Sequence, residues 1–196
     1  LVCWNYFQDC ITKCSDTFNA NQQIFGKVYF PRLVVPFSIV ISNLIKLGIQ
    51  FLLFFIVYLY YAFTLGGFNV NWTICLLPLL IILLACIGLG FGLVISSMTT
   101  KYRDLRFLVS FGVQLWMYAT PVIYPLSVMK ENYPDKIWVI VANPLTAITE
   151  TFKYGFTGVG VFEWSYLLYS IVFAVVVLLL GIMVFNRVQK NFMDVI

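Results

Sequence analysis

The chain has 196 residues, of which 62% are hydrophobic, 18% aromatic and only 10% charged, and its mean hydropathy is +0.94. Soluble domains carry about 25% charged residues, so a water-soluble core is excluded and lipid must cover much of the surface. The net charge of +4 is scattered at helix ends rather than gathered in a basic patch, which excludes nucleic acid as a partner, and the absence of histidine removes the commonest general base and metal ligand.

The pattern predicts an all-α integral membrane protein. Residues 1–18 mix Trp4, Tyr6, Phe7, Ile11 and Phe18 with Asp9, Lys13 and Asp16, and read as the tail of a preceding span. The chain opens on Leu1 without a charged leader, so it reads as a piece of a longer protein. Residues 19–32 are polar, then amphipathic, and Pro31 suits the first position of the next helix. A first complete span is expected at 33–62.

From Leu47 to Thr100 there are 54 consecutive residues without a charge. As one helix they would extend roughly 80 Å, against a hydrocarbon core of about 30 Å. The run must fold back, and its turn signal is Gly66 to Trp72. The second span is therefore placed at 73–98, with Pro78 tolerated in its first turns. Within it, Gly88, Gly92 and Ser96 form a small-residue stripe. Such a stripe serves either packing inside one subunit or a dimer seam.

A basic loop, Lys101 to Arg106, follows, in which Asp104 is placed to cap the next helix. The third span is expected at 107–128, ending in Thr120-Pro121-Val122-Ile123-Tyr124-Pro125. Two apolar pieces, Ile137–Ala142 and Leu145–Phe156, are divided by Asn143-Pro144. Both are too short to span and read as re-entrant or interfacial. The last span is expected at 164–185, followed by a tail to Ile196. Lys27, Arg32, Lys101, Arg103, Arg106, Arg187 and Lys190 would share one side of the membrane, with Lys130, Lys136 and Lys153 on the other. The positive-inside rule then puts the C-terminus in the cytoplasm.

No phosphate-binding GxxxxGK[ST] loop and no HExxH motif is present, so the chain is expected to be no enzyme and to hold no metal or cofactor. The five cysteines include no CxxC pair and read as small apolar side chains. Lys46 is the one charge inside a span, and it either snorkels to an interface, faces a polar lumen or forms a buried pair. Phe111, Trp116, Tyr118 and Tyr124 form either a lipid-facing belt or a lining on which sugar rings could stack.

Five segments in order carry a resemblance: Asn19-Ala20-Asn21 with Lys27-Val28-Tyr29-Phe30-Pro31-Arg32; Lys101 to Arg106; Gln114-Leu115-Trp116 with Thr120 to Pro125; Asn143-Pro144-Leu145 with Glu150; and the tail with Phe185, Arg187, Val188, Phe192, Asp194 and Ile196. Together they resemble the permease subunit of ABC-2 type polysaccharide exporters, the group that handles O-antigen, capsule and teichoic acid. The resemblance covers essentially the whole chain as a single transmembrane domain, 1–196, with four full spans and short re-entrant gate helices. It implies that an amphipathic helix, a first span and most of a second precede residue 1.

The resemblance also assigns roles. It implies a coupling region at 19–32, with Asn19, Asn21, Lys27, Tyr29, Arg32, Arg103, Asp104 and Arg106 facing an ATPase. It implies a substrate path past Lys46, Trp116, Tyr118 and Tyr124, and an external gate at 137–156 with Asn143, Pro144, Glu150 and Lys153. The implied partners are a second copy of the chain, two copies of a P-loop ATPase holding ATP and Mg, membrane lipid, and a glycan on undecaprenyl diphosphate. The implied location is the bacterial cytoplasmic membrane. Two other readings stay open: a small-molecule or drug exporter of the same architecture, and a membrane scaffold without an ATPase.

Overall fold

The computed structural model describes residues 1–21, 31–65, 71–100, 102, 104–124, 126, 129 and 137–193. Among these the secondary structure is helical: α1 (Val2–Ser15), α2 (Thr17–Ala20), α3 (Val34–Leu65), α4 (Leu77–Thr99), α5 (Leu105–Ala119), α6 (Ile137–Val141), α7 (Pro144–Thr157) and α8 (Trp164–Met193). A 3-10 turn, Trp72–Leu76, leads into α4.

Among the described residues three helical stretches are long and apolar enough to cross a membrane: Val34–Thr64, Trp72–Thr99 and Trp164–Gln189. The expected third span, 107–128, differs. Helix α5 has 15 residues, which extend roughly 22 Å and fall short of the hydrocarbon thickness of about 30 Å. It stops because Thr120 is extended, at φ −102° and ψ 138°. A residue before proline is pushed out of the helical region by the ring of Pro121. Apolar composition continues past this point, but local backbone sterics do not allow the helix to follow it.

Two other boundaries move. Pro31 does not open α3, which begins at Val34 after a turn closed by Val34 N–H on the Pro31 carbonyl at 3.0 Å. The segment expected to be a tail after residue 185 is helical to Met193.

Helix α1 lies at the centre. Cys3, Trp4, Tyr6, Phe7, Cys10, Ile11 and Cys14 are all buried, at the three- and four-residue spacing of one helix face. Helix α4 lies between α1 and α8, and these are its two most extensive packings. Its glycines explain how. A β-carbon on Gly88 would lie 2.9 Å from Cys10 Cβ, facing α1. Gly90 faces the other way, where Gly181 of α8 comes so close that its own β-carbon would lie 2.6 Å from the Gly90 carbonyl oxygen. The stripe of small residues therefore packs helices within one chain. The buried cysteines are its counterpart, small enough to sit against glycine.

Helix α3 is different. Pro36, Val40, Asn43 and Leu47 are buried at helical spacing, while Ile41, Ile45, Ile49, Leu52, Leu53 and Ile56 are exposed. So apolar a face on a 32-residue helix suits lipid as its surroundings.

Candidate functional site

The bundle has two chemically distinct ends. At one end Phe18 stacks on Phe185 with ring centroids 4.6 Å apart. Thr99 Oγ1 donates to the Ser15 carbonyl at 2.8 Å, and the buried Arg32 donates to the Gln189 carbonyl at 3.4 Å. Arg106 pairs with Asp16 at 3.2 Å. At the other end Trp72 lies 5.9 Å from Trp164 and 5.7 Å from Phe162. Aromatic side chains of this kind suit a membrane interface.

The residues expected to couple to an ATPase divide as follows. Arg32 and Arg106 lie at the first end, and Asp104 opens α5 there. Asn19 lies in α2, and Asn21 follows it, with its amide donating to the Thr17 carbonyl at 2.9 Å. Lys27, Tyr29 and Arg103 lie outside the described residues. Asp104 does not cap α5 with its side chain. Its own backbone is already helical, at φ −69° and ψ −20°, so the carboxylate is not aimed at the free N–H groups.

Lys46 has a partner that the sequence reading did not name. Its ammonium meets Asp9 Oδ2 of α1 at 2.5 Å, with the lysine side chain 53% exposed. Asp9 and Lys13 of α1 and Asp16, the residue that ends it, lie at i, i+4 and i+7. Each reaches a different neighbour: Lys46, then Asn43 (2.7 Å from Lys13 Nζ), then Arg106. This ladder fastens α1 to α3 and α5. The spacing of Asp9, Lys13 and Asp16 was the available signal for it.

The second constellation forms around the break after α5. A cleft of about 380 Å³ is lined by Trp116, Ala119, Tyr124, Ile140, Ala142, Asn143 and Pro144. It brings together two residues expected on a substrate path and two expected at a gate. Tyr118 is exposed and contributes its carbonyl, which accepts from the Tyr124 hydroxyl at 3.3 Å.

Local chemistry builds the walls. Asn143 is the N-cap of α7, its Oδ1 accepting from Leu145 N–H at 3.1 Å, and Pro144 takes a first-turn position where no helical bond is lost. The Asn143 amide also donates to Thr120 Oγ1 at 2.8 Å, tying α7 to the end of α5. Ten residues on, Lys153 donates to the Pro121 carbonyl, to the Tyr124 carbonyl at 3.0 Å and to Glu150 Oε1 at 3.1 Å. Ser170 and Tyr169 of α8 hold the carbonyls of Pro144 and Ala142 at 2.7 and 2.9 Å. Ser170 and Tyr169 were not singled out from sequence, because single hydroxyls carry no pattern.

An aromatic-walled cleft with an amide at its edge can hold an apolar sugar face and a hydroxyl together. The profile of the ABC-2 type transporter family matches residues 2–157. The chain is 27% identical to the O-antigen export system permease protein RfbA of Klebsiella pneumoniae over 196 residues, 98% of this chain and 71% of that protein. A second Klebsiella pneumoniae protein of that name is 27% identical over 194 residues, again 98% and 71%. The Myxococcus xanthus protein of that name is 24% identical over 153 residues, 78% of this chain and 56% of that protein. With a helical bundle of this organisation and a family match over most of its length, the chain belongs to the ABC-2 type transporter family.

Proposed function

We propose that the chain is the membrane permease part of an ATP-driven exporter that moves a lipid-linked polysaccharide across the bacterial cytoplasmic membrane. O-antigen is the leading cargo, ahead of teichoic acid or capsule. The observation that carries this reading is the likeness, over 98% of the chain, to permeases named for O-antigen export. ATP and Mg would sit on a separate P-loop ATPase, two copies of which would work with two copies of this chain.

In this reading the end holding Arg32, Asp16 and Arg106 faces the cytoplasm and the ATPase, with the C-terminus on that side. The opposite end, with α6, α7 and the cleft at Trp116, Tyr124 and Asn143, faces outward and gates the exit. Closure of the ATPase dimer would tilt the helices only through contacts that differ between two states. The carrier-linked glycan would then pass outward.

The test uses the full-length protein in its native cell. Deleting it should leave lipid-linked glycan at the inner leaflet and strip the surface polymer, and complementation should restore both. A P-loop ATPase should co-purify in equal amount. Unchanged surface glycan together with lost efflux of a small molecule would support the drug-exporter reading instead. Purification without any ATPase, under conditions that keep a known ABC complex intact, would support the scaffold reading.

A further inference from the structure

From Asn5 to Asp16 every residue that is not buried is polar: Asn5, Gln8, Asp9, Thr12, Lys13 and Asp16. Their three- and four-residue spacing makes one continuous face of α1. A strip of polar residues four apart flanks it on each neighbour. On α3 these are Ser42, Lys46 and Gln50, and on α5 Arg106, Ser110 and Gln114. Lys46 on Asp9 and Arg106 on Asp16 join both strips to α1. At the Asp16 end the three helices enclose a space of about 540 Å³, lined by Thr12, Lys13, Asp16, Ile39, Arg106 and Ser110 among others.

This face reaches the middle of the membrane. Thr99, the last residue of α4, bonds the Ser15 carbonyl, and Gly88 of α4 lies against Cys10. Gly88 is roughly 16 Å along α4 from Thr99, about half of a 30 Å hydrocarbon core. Asp9 and its partner Lys46 share that depth. Lysines snorkel from helix ends, whereas Lys46 lies roughly 18 Å into α3. Its side chain is 53% exposed, so the pair is not buried. Among the described residues its ammonium meets Asp9 alone, which leaves two N–H donors for another acceptor. Lipid tails offer none, and a helix seated here would bury half-exposed charges unmet. Intramembrane charges of this kind face water-filled cavities.

We infer that the polar face of α1, walled by α3 and α5, is a water-filled groove that runs from the Asp16 end to mid-membrane and takes a hydroxyl-rich chain. Its amides and hydroxyls both donate and accept, as sugar hydroxyls do, and each of its acids is matched by a cation. That a glycan travels in it rests on the permease reading; that water fills it does not.

The first test uses the full-length protein with its ATPase in lipid nanodiscs, where both faces meet solution. The probe is a charged, lipid-insoluble methanethiosulfonate, read by mass spectrometry at each position. Gln8→Cys should react about tenfold faster than Ile45→Cys, which lies beside Lys46 in depth but on the apolar face of α3. Should Gln8→Cys fail to assemble, Ser42→Cys against Ile41→Cys decides, because both positions are exposed and accept a small thiol. A groove cysteine as slow as its control would overturn the proposal, whether lipid or protein covers the face.

The second test reads surface glycan in cells. Ser110→Trp fills the groove and should cut export about tenfold, while Leu108→Trp, exposed on the far side of α5, should not. Undiminished export by Ser110→Trp would overturn the groove as the path. The labelling reads water alone, so an unaltered protein that labels as expected and exports no glycan would count against the permease reading, not against the groove.

Discussion

A β-carbon on Gly92 of α4 would lie 2.5 Å from Cys14 Cβ of α1, closer than real β-carbons come. One hydrogen in place of a methyl group therefore sets the spacing of the two central helices. Gly92→Ala should destabilise the protein by about 1–3 kcal/mol, the usual cost of overpacking a filled core. Gly112, with open space around its missing side chain, is the control: Gly112→Ala should gain about 0.5–1 kcal/mol from helix propensity. Thermal unfolding in mild detergent measures both. Equal behaviour of the two variants would contradict the close approach.

The pair at the end of α1 should contribute little to stability. Arg106 is 53% exposed at the end of the bundle, so solvent screens its bond to Asp16. A double-mutant cycle with Asp16→Asn and Arg106→Gln should give a coupling below about 1 kcal/mol. A coupling several times larger would mean that α1 and α5 are bound together more firmly than this exposure indicates.

Asn143 has two tasks, which substitutions can separate. Asn143→Ala loses both the cap on α7 and the bond to Thr120, and should cost about 1–2 kcal/mol. Asn143→Asp keeps a capping oxygen and loses the amide donor, so it should recover part of that loss in the unfolding temperature. If Asp proves no better than Ala, the cap is not what stabilises the start of α7.

Cysteine labelling tests the proposed orientation. Cys75 is exposed at the Trp72 end, whereas Cys3, Cys10 and Cys14 are buried. A membrane-impermeant maleimide applied to intact spheroplasts should modify Cys75 and leave those three untouched. Modification of Cys75 only after lysis would reverse the orientation.

Much of this architecture was legible because composition and local chemistry agreed. The uncharged run from Leu47 to Thr100 required a turn, and helices α3 and α4 flank it. Asn143-Pro144 reads as a cap and a first-turn proline, and α7 starts there. The end of α5 was not legible from apolarity, which continues past Pro121 while the backbone does not. Partnerships were hidden by distance along the chain. Lys46 and Asp9 are 37 positions apart, and Arg32 meets a carbonyl 157 positions away. No local period encodes such pairs.

The position of α4 between two glycine-lined contacts also sets an order of assembly. Its Gly88 and Gly92 face can be covered as soon as α4 exists, because α1 is already made. Its Gly90 face must wait for Gly181, on the last helix. At about 5–20 residues per second that delay is roughly 4–16 s. During it a bare groove of backbone and small side chains is open to lipid or to a wrong helix. A chain interrupted before α8 would carry that groove permanently, so quality-control proteases have a physical mark by which unfinished copies differ from finished ones.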